Sequence, residues 1–139
     1  LTRGFRALKL WLSLKIFGLG AFRAAIDHGL AMGKFTETLL RAHDSFELVT
    51  PANLGIVSFR YRAVGLSAEA LDRVNLAIVE ACIEDGFAFV SSTRLRNRDV
   101  LRICPINPRT SEEDIRSTLD RLAAIGDQLL ASRKKGQRF

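Results

Sequence analysis

The hydrophobic repeat of this chain changes at Phe46, and that change constrains the fold more than any other feature. Before Phe46, apolar residues recur at the three- and four-residue spacing of helices. After it, pairs of short alternating runs are separated by further helical stretches, and each pair has a hairpin-length connection. The sequence therefore predicts an α+β domain in which helices pack on a small, largely antiparallel, four-stranded sheet.

The predicted element order is α-α-β-β-α-β-β-α. Helices are predicted at residues 5–17, 21–42 and 67–86, and strands at residues 46–49, 55–62, 87–93 and 100–106. Gly18 should end the first helix, as glycine commonly does. Thr110 and Glu113 have the spacing of a capping box, so the last helix is predicted to begin there.

Composition limits the class of protein. A chain of 139 residues with 47% hydrophobic and 26% charged residues suits one folded domain, and its net charge of +6 permits an acidic partner without requiring one. The most apolar stretch, residues 8–22, contains Lys9 and Lys15, so we expect neither a membrane span nor a signal peptide. A reducing cytoplasm is the expected location, because Cys82 and Cys104 form no disulfide or metal pattern.

Catalytic signatures are absent from the sequence. His28 and His43 are too far apart along a helix to share a metal ion, and both are predicted to be ordinary surface or boundary residues. Cys82 and Cys104 are predicted to be buried small hydrophobic residues. The acidic residues 112–114 are interpreted as partners of a helix dipole.

Two features invite other interpretations. Phe87 and Phe89, with the arginines of residues 94–102, partly match an RNA-recognition strand, although Asp85 and Ser92 depart from that signature. An RNA-binding α+β module is therefore the alternative function. The first helix combines basic residues with Trp11, but its apolar residues extend beyond one face, which favours burial against a neighbouring domain over a membrane surface.

Seven short blocks carry a resemblance to a known family. In chain order they are RGFRALKLW (3–11), FG (17–18), FELV (46–49), LGIVSFR (54–60), VLRIC (100–104), NPRT (107–110) and EDI (113–115). They resemble blocks of the group II pyridoxal-phosphate-dependent amino acid decarboxylases, which include the aromatic-L-amino-acid and glutamate enzymes. The resemblance is collinear and covers nearly the whole chain. Leu1 in place of an initiator Met also leads us to expect a piece of a longer protein.

The resemblance implies the C-terminal small domain of a fold type I enzyme. Residues 1–20 would be a leading helix that joins a large domain, and residues 21–139 the small domain. The resemblance implies pyridoxal phosphate in a homodimeric parent that decarboxylates an L-amino acid, with an aromatic substrate favoured. It places the cofactor lysine upstream of Arg3, so the chain alone should hold no catalytic residue, bind no cofactor and be inactive.

We make specific predictions for the roles of three arginines. The resemblance suggests that Arg3 approaches the cofactor or substrate, although Gly4 replaces the second basic residue of the family's usual pair. Arg102 is predicted to make a buried polar contact from a strand, and both Arg102 and Arg109 are expected to be structural. We expect neither nucleic acid nor a membrane among the partners.

Overall fold

A computed structural model of the chain describes residues 4–136. Its elements, in chain order, are α1 Arg6–Ala42, β1 Phe46–Asn53, β2 Ile56–Tyr61, α2 Ala68–Asp85, β3 Ser91–Leu95, β4 Arg98–Ile103 and α3 Glu112–Gly136. The strands form one antiparallel sheet in the order β1-β2-β4-β3. The predicted α+β class and the predicted order of elements are confirmed.

The long helix α1 consists of two helical arms. Gly18, at φ 78° and ψ 158°, interrupts it in a region of backbone space that is essentially restricted to glycine. A Cβ at Gly18 would meet no atom within 4 Å, so the turn itself, and not a lack of space, requires glycine there. The first arm is residues 6–17 and the second arm is residues 19–42, which agrees with the two predicted helices.

One face of the sheet packs against all three helices. Val57, Phe59 and Tyr61 of β2 alternate toward this face and are buried, because successive strand residues point to opposite sides. Leu40 of α1, Ile78 of α2 and Leu122 of α3 enclose them. Since burying such side chains is the main favourable contribution to folding, this cluster fixes the helices on the sheet.

Tyr61 joins the end of β2 to α3. Its hydroxyl donates a hydrogen bond to the Asp127 carboxylate, at 2.5 Å, and its ring lies where a Cβ on Gly126 would be. Burial, together with the neighbouring carboxylate, holds the pKa of Tyr61 well above its usual value. The backbone N–H of Tyr61 also donates to the buried Asn75, so α2 and α3 are both tied to this residue.

The third strand begins later than the sequence predicted. Residues 87–90 lie outside the ladder, and β3 starts at Ser91, which pairs with Arg102. The physical reason lies in the partner strand. Pro105 and a backbone hydrogen bond from Ile106 N–H to the Cys104 carbonyl turn the chain away after Ile103, which leaves residues 87–90 without a strand to pair with.

The last helix begins one residue later than predicted. Ser111, not Thr110, is the capping residue: its hydroxyl accepts from the Asp114 N–H, while the Asp114 carboxylate accepts from the Ser111 N–H. These are the reciprocal bonds of a capping box, with aspartate in place of glutamate. Hydrogen bonds from Ser111 lower the pKa of Asp114 below its ordinary value.

The buried arginine of the sheet is Arg60, so the prediction that Arg102 makes a buried polar contact was wrong. Arg60 is 2% exposed, and its Nη2 lies 2.8 Å from Asp72 Oδ1, which also accepts from the Asp99 N–H. Arg102 is exposed, and its Nε donates to Ser91 Oγ. Arg102 lies on an inner strand of the sheet. The alternation of side chains along a strand does not predict which of its polar residues a neighbouring helix will contact and bury.

We predict that Asp72→Asn lowers the free energy of unfolding of the chain by about 3 kcal/mol, because it leaves the buried Arg60 guanidinium without a counterion. Urea unfolding followed by circular dichroism measures this loss. Glu47→Gln is the control, since the pair of Glu47 with Arg98 is more exposed and should contribute less than about 1 kcal/mol. Equal losses in the two variants would contradict the assignment.

Candidate docking surface

The first arm of α1 carries exposed apolar residues on opposite sides of the helix. Leu8 and Leu12 lie on roughly the opposite side of the helix from Leu10 and Phe17, because each residue turns the helix by about 100°. The large apolar residues that are at least 42% exposed on and next to this arm are Phe5, Leu8, Leu10, Trp11, Leu12, Ile16 and Phe17. The chain itself covers no side of this arm completely, so the arm presents an extensive apolar surface.

A shallow apolar groove continues this surface along the second arm. It has a volume of about 230 Å³ and lies where α1 meets the β1–β2 turn and the segment that follows β4. Its walls include Phe22, Ile26, Leu30, Leu54, Pro105 and Ile106. Of these, Leu54 is 82% and Ile106 79% exposed. Exposed apolar surface of this extent is typical of an interaction site.

Close backbone contact positions the groove. A Cβ on Gly33 would lie 2.9 Å from the Cα of Gly55, and a Cβ on Gly29 would lie 3.1 Å from the Pro105 carbonyl oxygen. Gly55 itself has φ 75°, as the turn between β1 and β2 requires. These glycines let the second arm lie directly on the turn, and the exposed Leu54 is presented beside it.

The face of the sheet that points away from the helices is polar. Glu47 of β1 accepts a hydrogen bond from Arg98 of β4, with 3.1 Å between the two atoms. Arg102 bonds to Ser91 across the β3–β4 pair on the same face. Arg60 is not part of this exposed polar surface, because its guanidinium is buried and paired with Asp72 of α2.

The structure separates the candidate residues found in the sequence. Arg3 lies outside the described residues. Cys82 is buried as predicted, and burial raises the pKa of its thiol, whereas Cys104 is exposed, so the prediction that both are buried was wrong for Cys104. Cys104 is exposed because it follows β4, at the point where the chain leaves the sheet.

Both histidines are half-buried, as predicted for boundary residues. His28 Nε2 lies 2.7 Å from the Thr110 carbonyl oxygen, which ties the second arm to the start of α3. The ring of His43 packs at 4.8 Å on that of Phe46. No group of His, Cys, Asp or Glu side chains in residues 4–136 has the arrangement of a metal site. In the same residues, no helix is long and apolar enough to cross a bilayer.

Phe87 and Phe89 do not form a base-stacking pair on a strand. Both precede β3, and Phe87 packs under the Arg121 guanidinium at 5.1 Å, while Phe89 is 82% exposed beyond the sheet edge. RNA-recognition sheets require such aromatic residues on the strands themselves. The geometry therefore does not favour the RNA-binding alternative.

The sequence matches a known family over its first part. Residues 1–62 match the model of the pyridoxal-dependent decarboxylase conserved domain. The aromatic-L-amino-acid decarboxylase of Bacillus atrophaeus is 42% identical over 133 residues, which are 95% of this chain and 28% of that protein. Tryptophan decarboxylase 1 of Oryza sativa subsp. japonica is 36% identical over 83% of this chain and 23% of its own length. The chain thus spans about a quarter of the length of these relatives.

Solved structures agree with the sequence comparison. The crystal structure of Oryza sativa TDC with PLP and tryptamine superposes with a TM-score of 0.77 at 31% identity, over 91% of this chain and 28% of that one. A second match is the crystal structure of the glutamate decarboxylase domain of diaminobutyrate-pyruvate transaminase and L-2,4-diaminobutyrate decarboxylase from Vibrio parahaemolyticus. It superposes with a TM-score of 0.82 at 26% identity, over 91% of this chain and 27% of that one.

We predict that Gly33→Ala destabilises the chain by about 2 kcal/mol, because the new methyl group overlaps the backbone of Gly55. Gly20→Ala is the matched control on the same helix. A Cβ there meets nothing within 4 Å, so alanine should stabilise the chain by about 0.5–1 kcal/mol. Urea unfolding distinguishes the two, and a shift of the same sign in both variants would contradict the close contact.

Proposed function

Because this chain belongs to the pyridoxal-dependent decarboxylase family, we propose that it is the C-terminal small domain of an enzyme that releases carbon dioxide from an L-amino acid. Residues 1–20 would lead from the large domain, and residues 21–139 would form the small domain. The observation that carries the proposal is the 42% identity to the Bacillus atrophaeus enzyme across 95% of this chain. The break of α1 at Gly18, two residues from the proposed boundary, supports the division.

Aromatic amino acids are the favoured substrates of the proposed enzyme. The support is the names of the two relatives that are 42% and 36% identical, an aromatic-L-amino-acid decarboxylase and a tryptophan decarboxylase. A mouse histidine decarboxylase is less similar, at 29% identity. The substrate preference would depend on residues outside this chain.

The described residues do not fit pyridoxal phosphate. The cofactor needs a lysine in an enclosed site, an anion for its pyridine nitrogen and a cradle for its phosphate. Lys9, Lys15 and Lys34 are all exposed along α1, and the ammonium of Lys15 lies 5.8 Å from the centre of the Trp11 ring. We therefore assign no chemical step to these residues, and we expect the isolated chain to be inactive.

The contribution of this chain is to cover the site that the rest of the enzyme builds. The exposed first arm and the groove beside Leu54 supply apolar surface for packing against the large domain. A domain held in this way can close over a site and exclude water from it. The proposed parent is a homodimer in the cytoplasm, and Arg3 remains a candidate for contact with cofactor or substrate.

A chimera tests this function. The matching segment of the Bacillus atrophaeus enzyme is replaced by residues 1–139, and carbon dioxide release is measured with L-tryptophan, L-phenylalanine and L-glutamate. We expect release from an aromatic substrate to exceed that from L-glutamate, and we expect none from the isolated chain.

The same replacement made with a scrambled residue order is the control. A chimera that folds and binds pyridoxal phosphate but releases no carbon dioxide from any of the three substrates would contradict the proposal. Carbon dioxide release by the isolated chain would contradict it as well.

A further inference from the structure

The first arm carries positive charge that this chain does not neutralise. The charged side chains of the first arm are Arg6, Lys9 and Lys15, and the arm contains no Asp or Glu. Within the described part of the chain, no ion pair involves any of the three. The arm therefore combines an apolar surface with three basic side chains that have no acidic partner within residues 4–136.

The distribution of apolar residues indicates the shape of the partner. Leu10 and Phe17 are 58% and 67% exposed, and on the other side of the arm Leu8 and Leu12 are each 42% exposed. A membrane surface covers one side of a helix that lies on it. Only a partner that surrounds the arm can cover both sides, so a protein groove fits this arm better than a lipid surface does.

Charge indicates the chemistry of that partner. Two copies of the arm would bring six basic groups together, in a chain whose net charge is already +6, so a second copy of this chain is disfavoured. A groove with an apolar floor and acidic residues along its rim would cover the apolar side chains and pair with the three cations.

We propose that the first arm docks in such a groove, formed by the rest of the decarboxylase chain and rimmed with Asp and Glu side chains. This inference rests on the proposed function. Gly18 lets the arm point away from the body of the domain, and no hydrogen bond within the described residues joins the arm to another element. The partner therefore sets the position of the arm.

Charge reversal in the Bacillus atrophaeus chimera tests the inference. Lys9→Glu with Lys15→Glu should lower the midpoint of thermal unfolding by about 3–5 °C at low salt. The shift should shrink in 1 M sodium chloride, where the Debye length falls to about 3 Å. The control is Lys34→Glu with Arg94→Glu, an equal change of charge at exposed positions outside the arm, and it should shift the midpoint by less than about 1 °C.

A second chimera keeps the test decisive if the first does not fold. It retains the Bacillus residues that match positions 1–18 and takes only residues 19–139 from this chain. If it folds while the complete replacement does not, the arm of this chain does not fit the groove and the inference is wrong. If neither chimera folds, the proposed function is contradicted and the inference, which depends on it, falls too.

The remaining outcomes separate the two proposals. Equal shifts of the unfolding midpoint in the arm variant and the control would overturn the inference of an acidic rim. Carbon dioxide release by the chimera would still support the proposed function in that case. A salt-sensitive loss confined to the arm variant, in a chimera that releases carbon dioxide, supports both the rim and the function. If the isolated chain binds vesicles of phosphatidylglycerol and phosphatidylcholine, with a blue shift of Trp11 emission, and the chimera is insensitive to charge reversal, the arm is a lipid-binding element.

Discussion

The close contact between α1 and the β1–β2 turn is the constraint on which the exposed surfaces depend. Gly33 and Gly55 allow two backbones to meet where any side chain would separate them. The second arm therefore lies along the turn. Its direction fixes the position of Gly18, where the first arm leaves the domain. The groove beside Leu54 and the exposed first arm are thus two results of one contact.

The periodic elements could be predicted from the sequence because each depends on local pattern. The period change at Phe46 and the break at Gly18 are examples. Features set by neighbours in space could not be predicted in the same way. Arg60 and Arg102 occupy equivalent positions in alternating runs, and only the placement of Asp72 on α2 decides which is buried. The early end of β4 similarly exposes Cys104 and leaves residues 87–90 unpaired.

The candidate site differs in kind from an enclosed active site. The surfaces of the candidate site are apolar and basic, and Lys9, Lys15 and Lys34 on α1 are exposed. The most enclosed ion pair among the described residues, between Arg60 and Asp72, joins the sheet to α2. Fold and surface explain how such a domain could cover a site, whereas the kind of reaction comes from the resemblance to decarboxylases. The seven collinear blocks were the signal that revealed this family, because no single motif in the chain carries catalytic chemistry.

The central claim is that this chain completes a pyridoxal phosphate enzyme whose cofactor lysine lies outside it. The most direct measurement is the visible absorption of the full-length protein that contains this chain, before and after borohydride, followed by peptide mapping of the reduced label. The account predicts a band that borohydride abolishes and a label on a lysine outside residues 1–139. A label on any lysine of residues 1–139 (Lys9, Lys15, Lys34, Lys134 or Lys135), or no band with added cofactor, would contradict it.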